Sequence, residues 1–450
     1  MNFEKIAIVG NGLSAWMITA LMAKQLRHTK TKITLHVGVE AEITTELQSP
    51  LPLFESFLRA IEVSPDLLTE KANFHPKLGT AFLFNDKPPF FHVWGQYGAP
   101  IGPIEFHQVL MRFGLMGETA DLNKLSLGAA SILAGKFQKP TPNSQSINST
   151  YESSWSFETA VFVNVLKSIS SAMGVEVNGD RVSKVEVGDA CVVWDESDRP
   201  HEYSYLINTI PDLIGGSHAY ESWFPGLPFT LRAQSKTKNT LSPLVNKVKV
   251  IDSATWLCEI THRNLAVLNV YQFEKQDMGS NYVHKSPRSP KCLNFGPAMA
   301  NLCSPLFSAI DLNSIASTLL LRYFPAPTDG TAVVGEFNAV LRSAFENLRD
   351  LTQLCVNQLF LRECHEEAKI PLSPQAEYKS NLFKARGRYP FLESEFFKTE
   401  WQVWLLLGLG FEYGGVEPMV SSIKDDAIRE HISKVENSVM RSLSAMPKLN

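Results

Sequence analysis

The spacing of apolar and polar positions changes period within the first forty residues. An apolar run over residues 5–9 predicts a short buried strand, and a helical pattern begins at about residue 13 and continues towards residue 25. A second strand is predicted over residues 32–37. Gly10 and Gly12 lie between the first strand and the helix. This order of strand, glycine turn, helix and strand is typical of the first unit of a dinucleotide-binding fold.

The turn between the first strand and the helix has the composition of a phosphate-binding turn. Its glycines allow the backbone to approach a pyrophosphate, and the helix directs amide groups at the phosphate charge. We therefore predict that a cofactor is bound by Gly10, Asn11, Gly12, Leu13, Ser14 and Ala15, the last in place of the usual third glycine. An ordinary strand–helix turn with two glycines is the alternative interpretation.

The end of the second predicted strand lacks the acidic residue that usually binds the ribose hydroxyls in this fold. Val37 and Gly38 stand at that place, and the nearest acidic residue is Glu40. Glu40 is therefore the candidate ribose ligand, and the sequence leaves this contact open.

The rest of the chain divides into a β-rich middle and a mostly helical final third. Helices are predicted over 51–71, 157–173 and 337–361, with mostly helical structure from about residue 312. Strands are predicted late in 74–84 and over 90–95, 175–177, 182–187, 190–194, 205–210, 245–251 and 265–273. Residues 136–154 have the composition of a loop.

This layout predicts an α/β protein with an FAD-binding, Rossmann-type flavoprotein monooxygenase fold, a β-rich middle and a helical C-terminal region. We assign residues 1–230 and 280–330 to a discontinuous FAD-binding module. Residues 75–135 and 230–280 are assigned to a β-rich, substrate-side region, and residues 331–450 to a helical region.

Composition argues against several classes of function. A net charge of −4 gives no basic excess for nucleic acid, and no apolar run is long enough to span a membrane. The first strand begins without a signal sequence, and six dispersed cysteines without a Cys-x-x-Cys pair fit thiols in a reducing compartment. We therefore expect a cytoplasmic protein, and the dispersed His, Asp and Glu residues predict no metal site.

Seven segments carry motifs that occur in the same order in one enzyme family. They are residues 10–17, 38–41, 77–82, 91–95, 155–162, 337–357 and 401–410. Together they resemble the flavin-dependent tryptophan halogenase family over most of the chain. The differences described below would make this chain a divergent member.

The resemblance implies a chemistry centred on Lys77. In the family, reduced FAD from a separate reductase reacts with O₂ and a halide, and hypohalous acid passes through a tunnel to the catalytic lysine beside an aromatic substrate. Burial lowers the pKa of such an amine. The alternative for Lys77 is a solvated surface residue. His92, Trp94 and Trp256 are candidate substrate contacts, with core packing as their alternative.

Residues 294–310 are similar to the family's second flavin-contacting segment. The similarity implies flavin contacts for Gly296, Pro305 and Ile310, and a halide site at the backbone amides of Ala309 and Ile310. The position of the family's catalytic glutamate is Phe307. Asp311, four residues farther on, is the carboxylate considered as a substitute.

The family signature Trp-x-Trp-x-Ile-Pro corresponds here to Trp256-Leu-Cys258-Glu-Ile260-Thr261, so the second tryptophan and the proline are replaced. The signature is thought to discourage ordinary monooxygenation. The leading hypothesis is a halogenase-like oxidoreductase acting on an indole- or tryptophan-like substrate.

Three alternatives stay open. One is an FAD-dependent monooxygenase that hydroxylates its substrate, including a tryptophan within a partner protein. Another is an FAD-binding protein that has lost its chemistry. The third is a nicotinamide-dependent dehydrogenase, which shares only the glycine turn.

Overall fold

The computed structural model describes residues 3–42, 44–144, 146–223, 226–238, 242–263, 265–273, 281–365, 370–391 and 395–449. The chain forms two units, each assembled from three stretches of sequence. The first unit comprises residues 1–75, 156–224 and 275–346, and the second comprises 76–155, 225–274 and 347–450. The functional regions predicted from the sequence are not tested by this division and stay predictions.

The strands of the described residues are β1 (Lys5–Val9), β2 (Lys32–Gly38), β3 (Leu47–Gln48), β4 (His75–Lys77), β5 (Gly79–Leu83), β6 (Phe90–Val93), β7 (Ser154–Glu158), β8 (Glu176–Val187), β9 (Cys191–Asp195), β10 (Pro200–Tyr203), β11 (Tyr205–Asn208), β12 (Tyr220–Ser222), β13 (Phe229–Lys238), β14 (Val245–Val250), β15 (Thr255–His262), β16 (Leu265–Phe273), β17 (Tyr282–His284), β18 (Cys292–Asn294) and β19 (Ala300–Asn301).

The α-helices of the same residues are α1 (Leu13–Leu26), α2 (Phe54–Ala60), α3 (Pro65–Lys71), α4 (Phe106–Leu115), α5 (Leu127–Ala134), α6 (Thr159–Ala172), α7 (Ala309–Arg322), α8 (Thr331–Cys364), α9 (Pro374–Arg386), α10 (Thr399–Leu409), α11 (Pro418–Ser421) and α12 (Asp425–Ala445). Short 3₁₀ helices cover Leu122–Lys124, Ile147–Ser149, Ser217–Ala219 and Gly296–Ala298.

A seven-stranded sheet organises the first unit, in the order β10-β9-β8-β2-β1-β11-β18. The strands from β8 to β18 in this order are parallel, and β9 and β10 extend the sheet in antiparallel fashion. Residues 6–9 of the central strand β1 are fully buried. This explains the uninterrupted apolar run in the sequence, because a central parallel strand is covered on both faces.

The helix α1 is buried on all sides over residues 13–23 and packs against α2, α6 and α7. This burial explains why its sequence is apolar all round rather than along one stripe. The first strand, the glycine turn and the helix therefore have the predicted bounds and occupy the centre of the unit.

Residues 51–71 form two helices, α2 and α3, where the sequence predicted one. Glu62 adopts a left-handed φ of 57°, which ends the helical path after α2. The Ser64 side chain then accepts a hydrogen bond from the amide of Asp66, and Pro65 occupies the first turn of α3. The sequence Ser64-Pro65-Asp66 is a typical helix N-terminus, so it indicates that a second helix begins there.

Two other predicted bounds shift for tertiary reasons. Phe157 lies in β7 rather than in a helix, because it pairs with Gln48 of β3 and stacks 4.2 Å from the ring of Phe74. The two strands predicted over 175–187 are one strand, β8. Its first half pairs with β2 and its second half with β9, which carries the strand across Gly179.

The second unit is built on a six-stranded sheet in the order β13-β16-β15-β14-β5-β6. Its strand pairs are antiparallel except for β14 and β5, which run parallel with Val245 opposite Gly79. The amide of Leu78 donates to the carbonyl of Leu244 at 2.8 Å. The parallel pair thus brings residues 243–245 beside the end of β4.

A helical core completes the second unit, as the sequence predicted for the final third of the chain. Its buried members are Met111, Leu354, Ala376, Phe383, Tyr389, Val403, Leu406 and Phe411. None of the helices within the described ranges has the length and hydropathy needed to cross a bilayer.

None of the six cysteines, all of which are described, forms a disulfide bond. Cys191, Cys258, Cys292 and Cys355 are buried, and the other two are half-buried. Burial raises the pKa of each of the four buried thiols. The six cysteines are thus free thiols, and four of them are buried.

Candidate active site

Ser14, in the first turn of α1, is the point where three segments of the first unit meet. Its amide donates to Glu42 Oε2 at 2.7 Å, and its hydroxyl donates to Glu42 Oε1 at 2.6 Å. The side-chain amide of Asn313, on α7, donates to the Ser14 hydroxyl oxygen at 2.9 Å. Ser14, a predicted turn residue, is therefore hydrogen-bonded to Glu42 and Asn313, neither of which was predicted from the sequence.

Glu42, a half-buried residue, places its carboxyl group on the N-terminal turn of α1. The amide and the helix dipole both favour a negative charge at this place. Burial nevertheless raises the pKa of Glu42, against the opposing effect of the two hydrogen bonds from Ser14. The arrangement shows that this turn binds a carboxyl group through both of its oxygens.

Gly12 and Gly296 lack a side chain where Glu42 and Ser14 pack closely against the backbone. A Cβ on Gly12, which has a φ of 142°, would lie 2.5 Å from the Cβ of Glu42. A Cβ on Gly296, at a φ of 60°, would lie 2.4 Å from the Cβ of Ser14. Both glycines are required by neighbouring protein atoms, so the structure brings the predicted residues Gly12, Ser14 and Gly296 together.

The side chain of Asn313 has an unsatisfied acceptor near Ser14. Asn313 is 1% exposed, and its Oδ1 atom has no hydrogen-bond partner among the described residues. An unpaired buried acceptor costs free energy, of the order of 1–3 kcal/mol. A hydroxyl or N–H group of a bound molecule would satisfy it.

A cavity of about 390 Å³ lies beside the glycine turn. Its lining includes Asn11, Trp16 and Val37, together with Lys167 of α6. The ammonium of Lys167 lies 5.4 Å from the centre of the Trp16 ring. The cavity offers a planar aromatic wall and a cation next to the predicted turn, whereas Glu40 is exposed just beyond β2.

The second predicted flavin segment ends at the N-terminus of α7. Phe307 and Pro305 are buried, and Ser308 caps the helix. Asp311 completes a capping box, accepting the amide of Ser308 at 2.8 Å. This box does not use the amides of Ala309 and Ile310, which are the predicted halide donors.

Asp311 is a structural carboxylate in this arrangement. Its carboxylate accepts hydrogen bonds from the amide of Ser308 and from the amide of Leu51, each at 2.8 Å. Burial raises the pKa of Asp311 to about 6, although these hydrogen bonds act in the opposite direction. Its oxygens are thus occupied by backbone groups, and Asp311 does not replace the carboxylate missing at Phe307.

Lys77, in the second unit, is fully buried at the end of β4. Its Nζ atom donates to the carbonyl of Pro243 at 2.7 Å and to the hydroxyl of Thr261. The carbonyl of Val245 lies farther away, at 3.5 Å. The surface alternative for Lys77 is therefore wrong, because the parallel pairing of β5 and β14 encloses the amine.

Electrostatics favour the neutral form of this amine. Burial lowers the pKa of Lys77 well below its ordinary value, and the charge of Lys247 lowers it further, while Glu259 opposes the shift. Lys247 and Glu259 form an ion pair between β14 and β15. Lys77 thus has the protonation behaviour expected of a reactive amine.

The three predicted substrate contacts occupy different surroundings. Trp94 is buried, and its amide donates to the carbonyl of Leu78 at 3.1 Å, next to Lys77. His92 has its Nε2 atom 2.8 Å from the carbonyl of Trp401, and burial lowers the pKa of His92 to about 4. His92 therefore acts as a neutral structural donor in this structure.

Trp256 packs in the core of the second unit, with ring centres 5.4 Å from Phe229 and 5.5 Å from Phe360. Side chains alternate along β15, so Trp256 and Thr261 lie on opposite faces of this strand. The structure therefore does not bring Trp256 to the Lys77 amine. Its indole N–H has no hydrogen-bond partner among the described residues.

Replacing Lys77 by methionine should raise the melting temperature at pH 7 by about 2–4 °C. Because the pKa of Lys77 is lowered in the folded state, the unfolded chain binds the proton more readily. This cost declines as the pH rises towards the ordinary lysine pKa of about 10.4. Thermal unfolding followed by circular dichroism should show the difference shrinking between pH 7 and about pH 10.

The matched control is Lys87→Met, at an exposed lysine of the same unit. Its melting temperature should stay at the wild-type value throughout this pH range. A Lys77→Met protein that melts below the wild type at pH 7 would contradict the assignment of a destabilising buried amine.

Comparison with known proteins agrees with these features. A family model described as tryptophan halogenase matches residues 5–194 and 278–425, more than half of the chain. No curated protein matches the chain in a sequence comparison.

Three solved structures resemble this chain over nearly their whole lengths. BrvH, a flavin-dependent halogenase from Brevundimonas sp. BAL3, has a TM-score of 0.87 at 20% identity, covering 99% of this chain and 98% of that chain. Xcc4156, a flavin-dependent halogenase from Xanthomonas campestris, has a TM-score of 0.87 at 17% identity, with coverages of 100% and 97%. The tryptophan 6-halogenase SttH from Streptomyces toxytricini has a TM-score of 0.82 at 14% identity, with coverages of 100% and 98%.

The structural likeness confirms the predicted Rossmann-type, FAD-binding flavoprotein fold. The family match covers both the glycine turn and the segment that begins with Lys77. This chain therefore belongs to the tryptophan halogenase family of flavin-dependent oxidoreductases.

Proposed function

We propose that this protein uses reduced FAD and O₂ to halogenate an aromatic, indole- or tryptophan-like substrate, with Lys77 as the catalytic amine. The observation that carries the proposal is the buried Lys77 side chain, held by Pro243 and Thr261 under conditions that favour its neutral form. Family membership supports the use of FAD, and a separate flavin reductase supplies its reduced form.

The residues of the first unit fit FAD. The Ser14 amide already donates a hydrogen bond to a carboxylate oxygen, so it suits a pyrophosphate, and the unpaired Oδ1 atom of Asn313 suits a cofactor hydroxyl. The cavity beside Asn11 and Trp16 suits the adenosine part. We assign FAD to residues 10–15, Gly296, Pro305 and Ile310, with Glu40 as the ribose ligand.

When bound in its reduced form, FAD would supply two electrons to O₂, and a halide would supply two more, so that the products are hypohalous acid and water. The amides of Ala309 and Ile310 are suitable halide donors, because the capping box at Ser308 and Asp311 leaves them unused. The resembled family has a threonine at the position of Ala309. Backbone amides do not depend on the side chain, so Ala309 is compatible with halide binding.

The neutral amine of Lys77 has two ways to handle hypohalous acid. It can donate a hydrogen bond to the oxidant, or it can form an N–halogen bond while the halogen–oxygen bond breaks and water leaves. In either case the halogen is presented to the substrate from one fixed nitrogen. The Trp94 amide donates a hydrogen bond to the carbonyl of Leu78, the residue after Lys77. This proximity makes Trp94 the favoured substrate contact.

A second function, hydroxylation of the substrate without halogenation, is favoured by Phe307. A buried phenyl ring stands where the resemblance places the catalytic glutamate, and Asp311 does not replace that carboxylate. Such an enzyme would transfer oxygen directly to a small aromatic substrate or to a tryptophan of a partner protein.

The first test is rapid mixing of the protein, loaded with reduced FAD, with O₂ in the presence and absence of bromide. We expect bromide to accelerate flavin reoxidation and, with indole as the probe, to yield bromoindole. The Lys77→Met variant should bind FAD as the wild type does and lose more than about 90% of the bromoindole, because it lacks the amine.

The Lys87→Met protein is the control and should brominate indole normally. If bromide does not change the rate of flavin reoxidation and the product is oxygenated indole, the protein is a hydroxylase and the halogenase proposal is wrong. Full bromination by Lys77→Met would remove Lys77 from its proposed role.

Restoring the missing carboxylate should strengthen halogenation. We expect Phe307→Glu to raise the rate of indole bromination by about tenfold, because a base can then accept the proton released by the ring. Phe307→Gln is the matched control, since it has the same shape without the charge. Equal rates for these two variants, both folded and loaded with FAD, would show that a carboxylate at this position has no catalytic effect here.

The carboxylate of Glu42 and a pyrophosphate require the same donors on Ser14. Glu42→Gln should therefore tighten FAD binding by about tenfold, because it removes a competing negative charge. Fluorescence titration of FAD measures the change, and Glu70→Gln, at an exposed position of α3, is the control for a general loss of charge. Weaker FAD binding by Glu42→Gln would instead make Glu42 a ligand of the cofactor.

A further inference from the structure

Thr261 occupies the position at which the resembled family has the proline of its tryptophan signature. Its side chain is fully buried on β15, and its Oγ1 atom lies 2.5 Å from the carbonyl oxygen of Val245 on β14. A carbonyl only accepts hydrogen bonds, so the single hydroxyl proton of Thr261 is donated to Val245. An electron pair of the hydroxyl oxygen then remains for Lys77.

The acceptors around Lys77 match the donors of a neutral amine. Nζ has two near acceptors, the Pro243 carbonyl at 2.7 Å and the Thr261 hydroxyl, whereas the Val245 carbonyl at 3.5 Å lies at the limit of a hydrogen bond. A neutral amine has two N–H groups, so both are used. Its remaining electron pair then has a defined direction.

Charged groups from each neighbouring strand act on the same amine. Lys247 projects from β14 and Glu259 from β15, on the face of β15 that also carries Thr261. His75 lies two residues before Lys77 on β4 and is buried. The Lys247–Glu259 pair sets the local charge, while only the Thr261 side chain is hydrogen-bonded to Nζ among the contacts described above.

We infer that Thr261 is a positioning residue, which together with the Pro243 carbonyl directs the free electron pair of Lys77 towards the reacting halogen. The inference rests on the proposed function of Lys77 as the reacting amine. The β-branched threonine suits this role, because its χ1 angle is restricted and its hydroxyl is held by Val245. A proline at this position would offer no hydroxyl to Lys77.

The test compares Thr261→Val and Thr261→Ser in FAD-free protein containing ¹³Cε-labelled lysine. The NMR resonance of Lys77 is identified by its loss in Lys77→Met, and its titration gives the pKa directly. Thr261→Val removes an acceptor that favours the ammonium, so we expect the pKa of Lys77 to fall by about 1. Thr261→Ser should restore the wild-type value, and Thr255→Val, on the same strand, should leave it unchanged.

The same variants separate positioning from packing in the FAD-loaded enzyme. Thr261→Val should lower kcat for indole bromination by about tenfold with little change in KM, and should move the acidic limb of the pH profile to lower pH. Thr261→Ser should recover both. A purely structural residue would lower the melting temperature without moving the pH profile.

An unchanged Lys77 pKa in folded Thr261→Val would overturn the inference. If that variant does not fold, Thr261→Ala makes the same comparison with a smaller side chain. A shifted pKa in a protein that never brominates indole would retain the Thr261–Lys77 contact and reject the proposed function. Bromination that is equally fast in Thr261→Val and wild type would reject the positioning role alone.

Discussion

The second unit depends on enclosing one amine without leaving it unsatisfied. A buried amine costs free energy unless hydrogen-bond acceptors surround it. The parallel pairing of β14 with β5 places the Pro243–Val245 segment beside Lys77, and β15 adds the hydroxyl of Thr261. An antiparallel meander alone would not bring these carbonyls to the end of β4. One unusual strand pair therefore creates the environment that lowers the pKa of the lysine.

In the first unit, three segments of the chain converge on one helix terminus. Ser14 binds Glu42 and Asn313 and lies against Gly296, so the turn, the residues after β2 and α7 share a single point. The carboxylate at this point has the charge sign of a phosphate. The geometry thus combines a helix end suited to an anion with a carboxyl group of the protein that already uses its donors.

The sequence predicted the parts of the fold and site that depend on local order. The strand, turn and helix over residues 5–26 were predicted because the glycines, the apolar run and the helix lie within one short stretch. Thr261, by contrast, is 184 residues from Lys77, and Asn313 is 299 residues from Ser14. Their pairing follows from sheet and helix packing, which periodicity does not encode. Glu42 was missed beside Glu40 because the path of the chain after β2 decides which acid reaches the turn.

The proposed halogenation would generate an electrophilic halogen inside the protein, and the buried cysteines have a consequence for it. Thiolates react with such oxidants far more readily than protonated, inaccessible thiols. Burial keeps Cys191, Cys258, Cys292 and Cys355 away from solvent and raises the pKa of each. Cys258 is on β15, three residues from Thr261, yet it faces the opposite side of the strand. The same alternation that presents a hydroxyl to the amine would thus keep the Cys258 thiol away from an oxidant at Lys77.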